Sequence, residues 1–425
     1  MAADTRPRIP RAILPSPLRP RTSLPASTPD PASGDPASDD RTAPSTTGPL
    51  SSTEARRRTV RTVLAVYAAA TAAHLTALFT LTSATPGAGV RERLLSWDGR
   101  LYAEIAADGY PDGIAYGADG EPLGNNLAFF PLYPLLVRTL HRTTGLDVDA
   151  AALLVAHLAF LGALFAVHAL ITSLYGRRTA DVTLVLVAVA QPMAVALVMA
   201  YSEALFLALA AGALLAARRG NWLAAGALGL LAGLTRPAAG ALALALAVAV
   251  LGEVRRTRRL GWRPLAGLVL ACTGTPAYLL WVAERTGQLD GWFVIQEAGW
   301  GTHWDSGAAT VDFLTDTLAR GDGWVPLSTA FLLVAACALT ALAWRRGAWP
   351  PLLVYGTAML VMTLGQSNFY HSKLRLLVPA LLLLVPLAAA LGRLPRRRLV
   401  LVLSAGAVFG AWYGAHMLVV WKYAV

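Results

Sequence analysis

The chain has 425 residues, of which 56% are hydrophobic and 14% charged, against about 25% charged in an ordinary soluble domain. A mean hydropathy of +0.52 with repeated apolar runs excludes a typical soluble enzyme and places the chain in the membrane class. The net charge of +11 does not mark a nucleic-acid binder, because the arginines gather at the ends of apolar runs, as cytoplasmic loops of membrane proteins require.

Residues 1–55 hold eleven of the 26 prolines, with Ser, Thr and Asp and few large apolar side chains. Such a stretch cannot bury enough surface to offset its ordering entropy and reads as a disordered cytoplasmic tail. No apolar core occurs before residue 60, so a signal peptide is not expected. From Val60 onward the chain alternates apolar runs with short polar breaks. The runs predict spans near 60–83, 148–175, 180–198, 202–217, 221–235, 238–252, 264–284, 324–344, 349–365, 374–392 and 399–421. The expected architecture for 56–425 is therefore an all-α polytopic bundle of about eleven transmembrane helices, with Pro192 and Pro237 as candidate kinks. Cys272 and Cys337 lie inside apolar runs, which predicts buried packing and no disulfide framework. His74, His157 and His168, also within spans, are expected to make helix–helix hydrogen bonds.

Arginine placement orients the chain. With the N-terminus inside, the short inner breaks collect Arg56, Arg57, Arg58, Arg177, Arg178, Arg218, Arg219, Arg255, Arg256 and Arg396, Arg397, Arg398, as the positive-inside rule predicts. The acids then fall mostly outside. Two outer loops are long, 84–147 and 285–323. Two outer turns are short but polar, 199–203 and 365–375, and a third holds Thr235-Arg236-Pro237. Chemistry is expected on the outer face.

The first outer loop contains Ser96-Trp97-Asp98-Gly99-Arg100-Leu101-Tyr102, then Gly109-Tyr110-Pro111, then Ala128-Phe129-Phe130-Pro131-Leu132-Tyr133-Pro134. Read as one helix, 91–108 would carry an apolar stripe of Leu94, Trp97, Leu101 and Ile105, with Asp98 beside it. An acid there is either used or paired, as a cap or in a salt bridge to Arg100 or a later arginine. The three motifs in this order resemble the first outer loop of the PIG-V-type mannosyltransferases, members of the GT-C class of membrane glycosyltransferases. The resemblance implies a GT-C-type bundle that transfers mannose, with inversion, from a polyprenyl-phosphate donor at the outer face of the cell membrane. The acceptor would be a cell-envelope glycolipid, polysaccharide or protein. The resemblance also implies that Asp98 is the catalytic acid/base residue.

A carboxylate suits that reaction, because an attacking hydroxyl must lose a proton. The departing lipid phosphate needs positive charge, for which Arg236, Lys373 and Arg375 are candidates, with His371 behind them; each cation could instead anchor at the headgroups. Tyr201-Ser202-Glu203 resembles the family's Tyr-Ser-Glu. Glu203 is a second catalytic candidate that would orient sugar hydroxyls or pair with Arg236; otherwise it is a helix-start acid with Ser202 as its cap. Trp97 and Tyr102, beside Asp98, are candidate substrate contacts. Gln296, in a loop with Trp292, Trp300, His303, Trp304 and Asp305, resembles a recurring Gln of the family. His303 and Asp305 alone do not make a metal site. No P-loop, HExxH or nucleophile elbow is present. The alternative reading is a polytopic lipid or sugar transporter or flippase, although the internal repeats usual in that class are not evident.

Overall fold

The computed structural model describes residues 52–321, 323–421 and 423. The stretch read as a tail lies outside the described residues up to position 51, and a helix begins at Ser52. Among the described residues, five helices are long and apolar enough to cross a membrane: Thr53–Ala84, Val148–Tyr175, Trp262–Thr286, Trp324–Arg345 and Arg396–Val419. Tyr370–Leu376 and Leu381–Leu391 would make a sixth span as a pair bent by 85°.

Val148–Tyr175 shows how sequence sets these elements. The Asp147 side chain accepts a hydrogen bond from Ala150 N at 2.9 Å and so caps the start. The helix then runs 28 residues to Gly176, whose φ of 83° stops it. At 1.5 Å per residue that is about 42 Å, ample for hydrocarbon roughly 30 Å thick.

The eleven expected spans become fewer because several apolar runs break into shorter pieces. The run from 180 is helical over Arg177–Val185, widens to a π-turn at Leu186–Ala190, and stops at Gln191. Pro192 follows, and a residue before proline is pushed out of the helical region. A short 3-10 turn, Ala194–Leu197, carries the chain to the next helix, Glu203–Arg218. Trp222–Gly233 and Pro350–Leu364 are apolar but short. The run from 374 breaks between Leu376 and Leu381, where Pro379 sits.

Glu203–Arg218 packs between Val148–Tyr175 and Trp222–Gly233. Lipid tails are as apolar as leucine, so helices in a bilayer associate through close backbone approach and polar contacts. Gly226 meets Gly267, and Gly233 meets Gly274, so closely that a Cβ at any of the four would strike backbone. The three histidines make the expected polar contacts between elements: His74 with Ala188 O at 3.0 Å, His157 with Tyr67 Oη at 2.9 Å, and His168 with Asp181 at 3.0 Å. Cys272 and Cys337 depart from expectation. Both are free and exposed, because an apolar helix in a membrane turns apolar residues outward as well as inward.

Two small antiparallel pairs order the loops between these helices. Ala115–Tyr116 pairs with Pro122–Leu123 within the first loop. His303–Trp304 pairs with Gln366–Ser367, in register His303 to Ser367 and Trp304 to Gln366, and so joins two segments far apart in the chain.

Candidate active site

The helix expected over 91–108 is broken. Val90–Leu94 ends in a turn, and a new helix, Asp98–Ala107, starts after Trp97, which has φ 59° and ψ −123°. Such a conformation is costly for a residue with a Cβ. It turns Trp97 outward, 38% exposed, instead of placing it in the apolar stripe. Tyr102, Ile105 and Ala106 form the buried face instead. Ala200 N donates to Leu94 O at 2.9 Å, and Gly99 lies against Ala200 and Tyr201, so the start of this helix is fixed beside the turn that precedes Glu203.

Two acids and two arginines meet there. Arg375 Nη1 lies 2.6 Å from Asp98 Oδ2, and Arg375 Nε lies 3.5 Å from Glu203 Oε1. Arg236 Nη1 is 2.6 Å from the same Glu203 oxygen. The formal charges cancel. Glu203 is 1% exposed, Arg375 10%, Arg236 15% and Asp98 17%, so exposure increases outward from Glu203. Arg375 Nε and Nη1 and both Glu203 oxygens form no well-directed hydrogen bond among the described residues. Charge, more than hydrogen-bond geometry, holds the group.

Neighbouring groups complete the wall. Ser202 does not cap the helix it precedes; its Oγ pairs with Tyr102 Oη at 2.8 Å and accepts from Arg236 at 3.4 Å. Burial raises the Tyr102 phenol well above the ordinary tyrosine value, a shift Arg236 opposes, so it stays a neutral hydroxyl. The Arg375 guanidinium stacks over Tyr201, 5.0 Å from the ring centre.

This group opens on a cavity of about 170 Å³. At about 30 Å³ per water molecule, that is room for a small ring. Asp98, Tyr102, Thr235, Arg236 and Arg375 line it, together with Gln296, Trp300, Thr302, Gln366, Asn368, Phe369, Phe129 and Phe130. Gln296 donates to Ala128 O at 3.1 Å, beside Trp292 Nε1 on the same carbonyl at 3.2 Å.

The structure thus brings five of the eight candidate residues to the cavity: Asp98, Tyr102, Arg236, Gln296 and Arg375. Glu203 stands directly behind the two arginines. Trp97 and Lys373 do not line it. Lys373 is 1% exposed, and its ammonium donates to Thr363 O at 3.0 Å and Gln366 O at 2.8 Å. His371 is buried in an aromatic group with Phe369, Tyr370, Trp421 and Tyr423. His303 contacts Ser367 and Glu297, while the Asp305 carboxylate accepts from Gly307 N and Ala309 N. Those backbone donors, Ala309 foremost, hold the Asp305 carboxyl below its ordinary value. Thr235, Thr302, Gln366 and Asn368 are wall residues that sequence reasoning did not single out. Only their presence in polar outer turns could have flagged them.

No protein-family model and no curated protein matches the sequence. Among solved structures, the chain is similar to the oligosaccharyltransferase of Archaeoglobus fulgidus in its apo form, at 14% identity and a TM-score of 0.50, over 84% of this chain and 56% of that one. It is also similar to ArnT from Cupriavidus metallidurans bound to undecaprenyl phosphate, at 19% identity and a TM-score of 0.49, over 85% of this chain and 64% of that one. The chain spans about 56 to 64% of the length of these two proteins. The likeness to the oligosaccharyltransferase is one of fold, and the molecule is a multi-pass, helical membrane protein.

Proposed function

We propose that the protein is a membrane glycosyltransferase that moves a sugar, mannose by the sequence resemblance, from a polyprenyl-phosphate carrier to a cell-envelope acceptor. The N-terminus would be cytoplasmic and the cavity would face outward across the cell membrane. One observation carries the reading: a partly open carboxylate, Asp98, shares a small cavity with two arginines, Arg236 and Arg375.

Each group has a task. The acceptor oxygen attacks the anomeric carbon while the bond from that carbon to the phosphate oxygen breaks. The hydroxyl proton passes to Asp98, and the electron pair of the broken bond leaves with the polyprenyl phosphate. Arg375 fixes one oxygen of Asp98 and leaves the other for the proton. The phosphate gains negative charge as it departs, and the guanidinium charges of Arg236 and Arg375 stabilise it. Glu203 touches neither cavity nor substrate; it acts by aligning the arginines. Attack opposite the leaving phosphate gives inversion.

The test is transfer by protein purified in nanodiscs, using radiolabelled polyprenyl-phosphate mannose and a membrane lipid extract as acceptor. Wild type should label a component of the extract, and Asp98→Asn should lower transfer by about 100-fold or more. Full transfer by folded Asp98→Asn would remove Asp98 from the reaction. Movement of lipid across the bilayer without label transfer would favour a flippase.

A further inference from the structure

Lys373 is a buried cation with no ion pair within 4 Å among the described residues, and the reaction above does not use it. Its surroundings show what it holds. Thr363 belongs to the last turn of Pro350–Leu364, where carbonyls lack intrahelical partners and carry the negative end of the helix dipole. Gln366 lies two residues beyond that helix, in the strand pair with Trp304. By donating to both carbonyls, the Lys373 ammonium ties the helix end to the strand pair. Other contacts fasten the same turn: Asp305 N donates to Gly365 O at 3.1 Å, Thr310 Oγ1 to Leu364 O at 2.7 Å, and Ser367 Oγ to Gly301 O at 2.6 Å. Gly365 is pressed so closely against the Trp304 indole that a Cβ would collide with it.

The clasp built this way presents Gln366 and Asn368 to the cavity that the arginines also line. Asn368 Oδ1 is buried without a hydrogen-bond partner among the described residues. A buried carbonyl oxygen in that state is costly, and a donor supplied by a ligand would relieve the cost. The chemistry matches a sugar. Primary amides offer both donors and acceptors, as ring hydroxyls require, and Trp300 and Phe369 beside them supply apolar faces for C–H surfaces.

We propose that Gln366 and Asn368 read the hydroxyls of the donor sugar, and that Lys373 is the positioning residue that holds them there. This rests on the glycosyltransferase reading. The phosphate is bound by the arginines and the sugar by the clasp amides, so the two contributions separate in a binding experiment.

The experiment measures affinity of the nanodisc-embedded protein for polyprenyl phosphate and for polyprenyl-phosphate mannose. Wild type should bind the sugar-bearing lipid more tightly. Gln366→Ala, Asn368→Ala and Lys373→Met should each lose about tenfold of that preference, roughly one to two hydrogen bonds, while binding of bare polyprenyl phosphate stays within twofold. Lys373→Met added to the Gln366→Ala, Asn368→Ala double variant should cost no further preference, which a merely structural lysine would not show. Equal loss for both lipids in Lys373→Met, or unchanged preference in the two amide variants, overturns the proposal while leaving the glycosyltransferase reading intact. Wild type that binds neither lipid overturns both.

Discussion

The charged group and the amide group that line the cavity are built by different means. Asp98, Glu203, Arg236 and Arg375 come from four separated points of the chain, each at a helix boundary or in a short turn, and mutual charge holds them. Gln366 and Asn368 come from one turn, fixed by backbone hydrogen bonds to Lys373, Asp305 and Thr310. Charges that must meet developing charge have to be oriented before the reaction, since reorientation would cost energy in the transition state. Amides that read hydroxyls need only be presented. One group should therefore govern turnover, and the other the choice of sugar.

Arg375→Gln tests that division most severely. Its guanidinium faces both Asp98 and Glu203, and removing one member of a buried ion pair costs about 3–5 kcal/mol because the partner stays buried and uncompensated. We expect a marked fall in melting temperature and transfer lowered by about 100-fold or more. Folded Arg375→Gln with transfer within tenfold of wild type would show that reaction charge develops elsewhere. Arg236→Gln should be milder, because Glu203 keeps Arg375 at 3.5 Å. About a tenfold weaker affinity for polyprenyl phosphate is expected, read by lipid titration.

Glu203→Gln sharpens the comparison by altering charge with little change of shape. The four groups sum to zero, so neutralising Glu203 leaves one positive charge facing the phosphate. Binding of polyprenyl phosphate should tighten by up to about tenfold and become more sensitive to salt. Steady-state transfer should fall because the phosphate product leaves slowly, while a single turnover is less affected. Weaker lipid binding in this variant would return Glu203 to a direct catalytic role.

These residues differ in how far the sequence revealed them. Asp98 was singled out by the Trp-Asp pair, and Arg236 and Arg375 by being basic groups at helix ends expected to lie outside. The all-α membrane class followed from hydropathy. The number of spans did not, because an apolar run of 17 or 19 residues looks alike whether straight or broken, and the break at Gln191–Met193 depends on local packing around Pro192. Trp97 misled for a related reason: periodicity assumes one continuous helix, and its φ of 59° resets the phase. Lys373 looked like a phosphate ligand because sequence cannot say where a long side chain ends. Its carbonyl partners exist only once the 363–367 turn is folded against the 301–310 segment. Thr302, Gln366 and Asn368 carry no charge and match no motif, so only three-dimensional placement identifies them.

The smallest expected effect comes from an ion pair that looks as good as those at the site. Arg285 Nη2 lies 2.8 Å from Asp112 Oδ1, close to the 2.6 Å between Arg375 and Asp98. Asp112, however, is fully exposed, so water and salt screen the attraction and the carboxylate recovers its hydration when the pair breaks. Arg285 also keeps its bonds to Pro111 O at 2.6 Å and Tyr110 O at 3.2 Å, and its stacking on Trp281. Asp112→Asn should therefore leave the melting temperature and transfer unchanged, whereas Arg285→Ala, which strips two loop carbonyls of their donor, should lower the melting temperature. A large effect of Asp112→Asn would mean that the outer loop is buried in the working protein, by lipid or by a partner. Otherwise the contrast with Arg375→Gln isolates burial, not distance, as what makes a guanidinium–carboxylate contact matter.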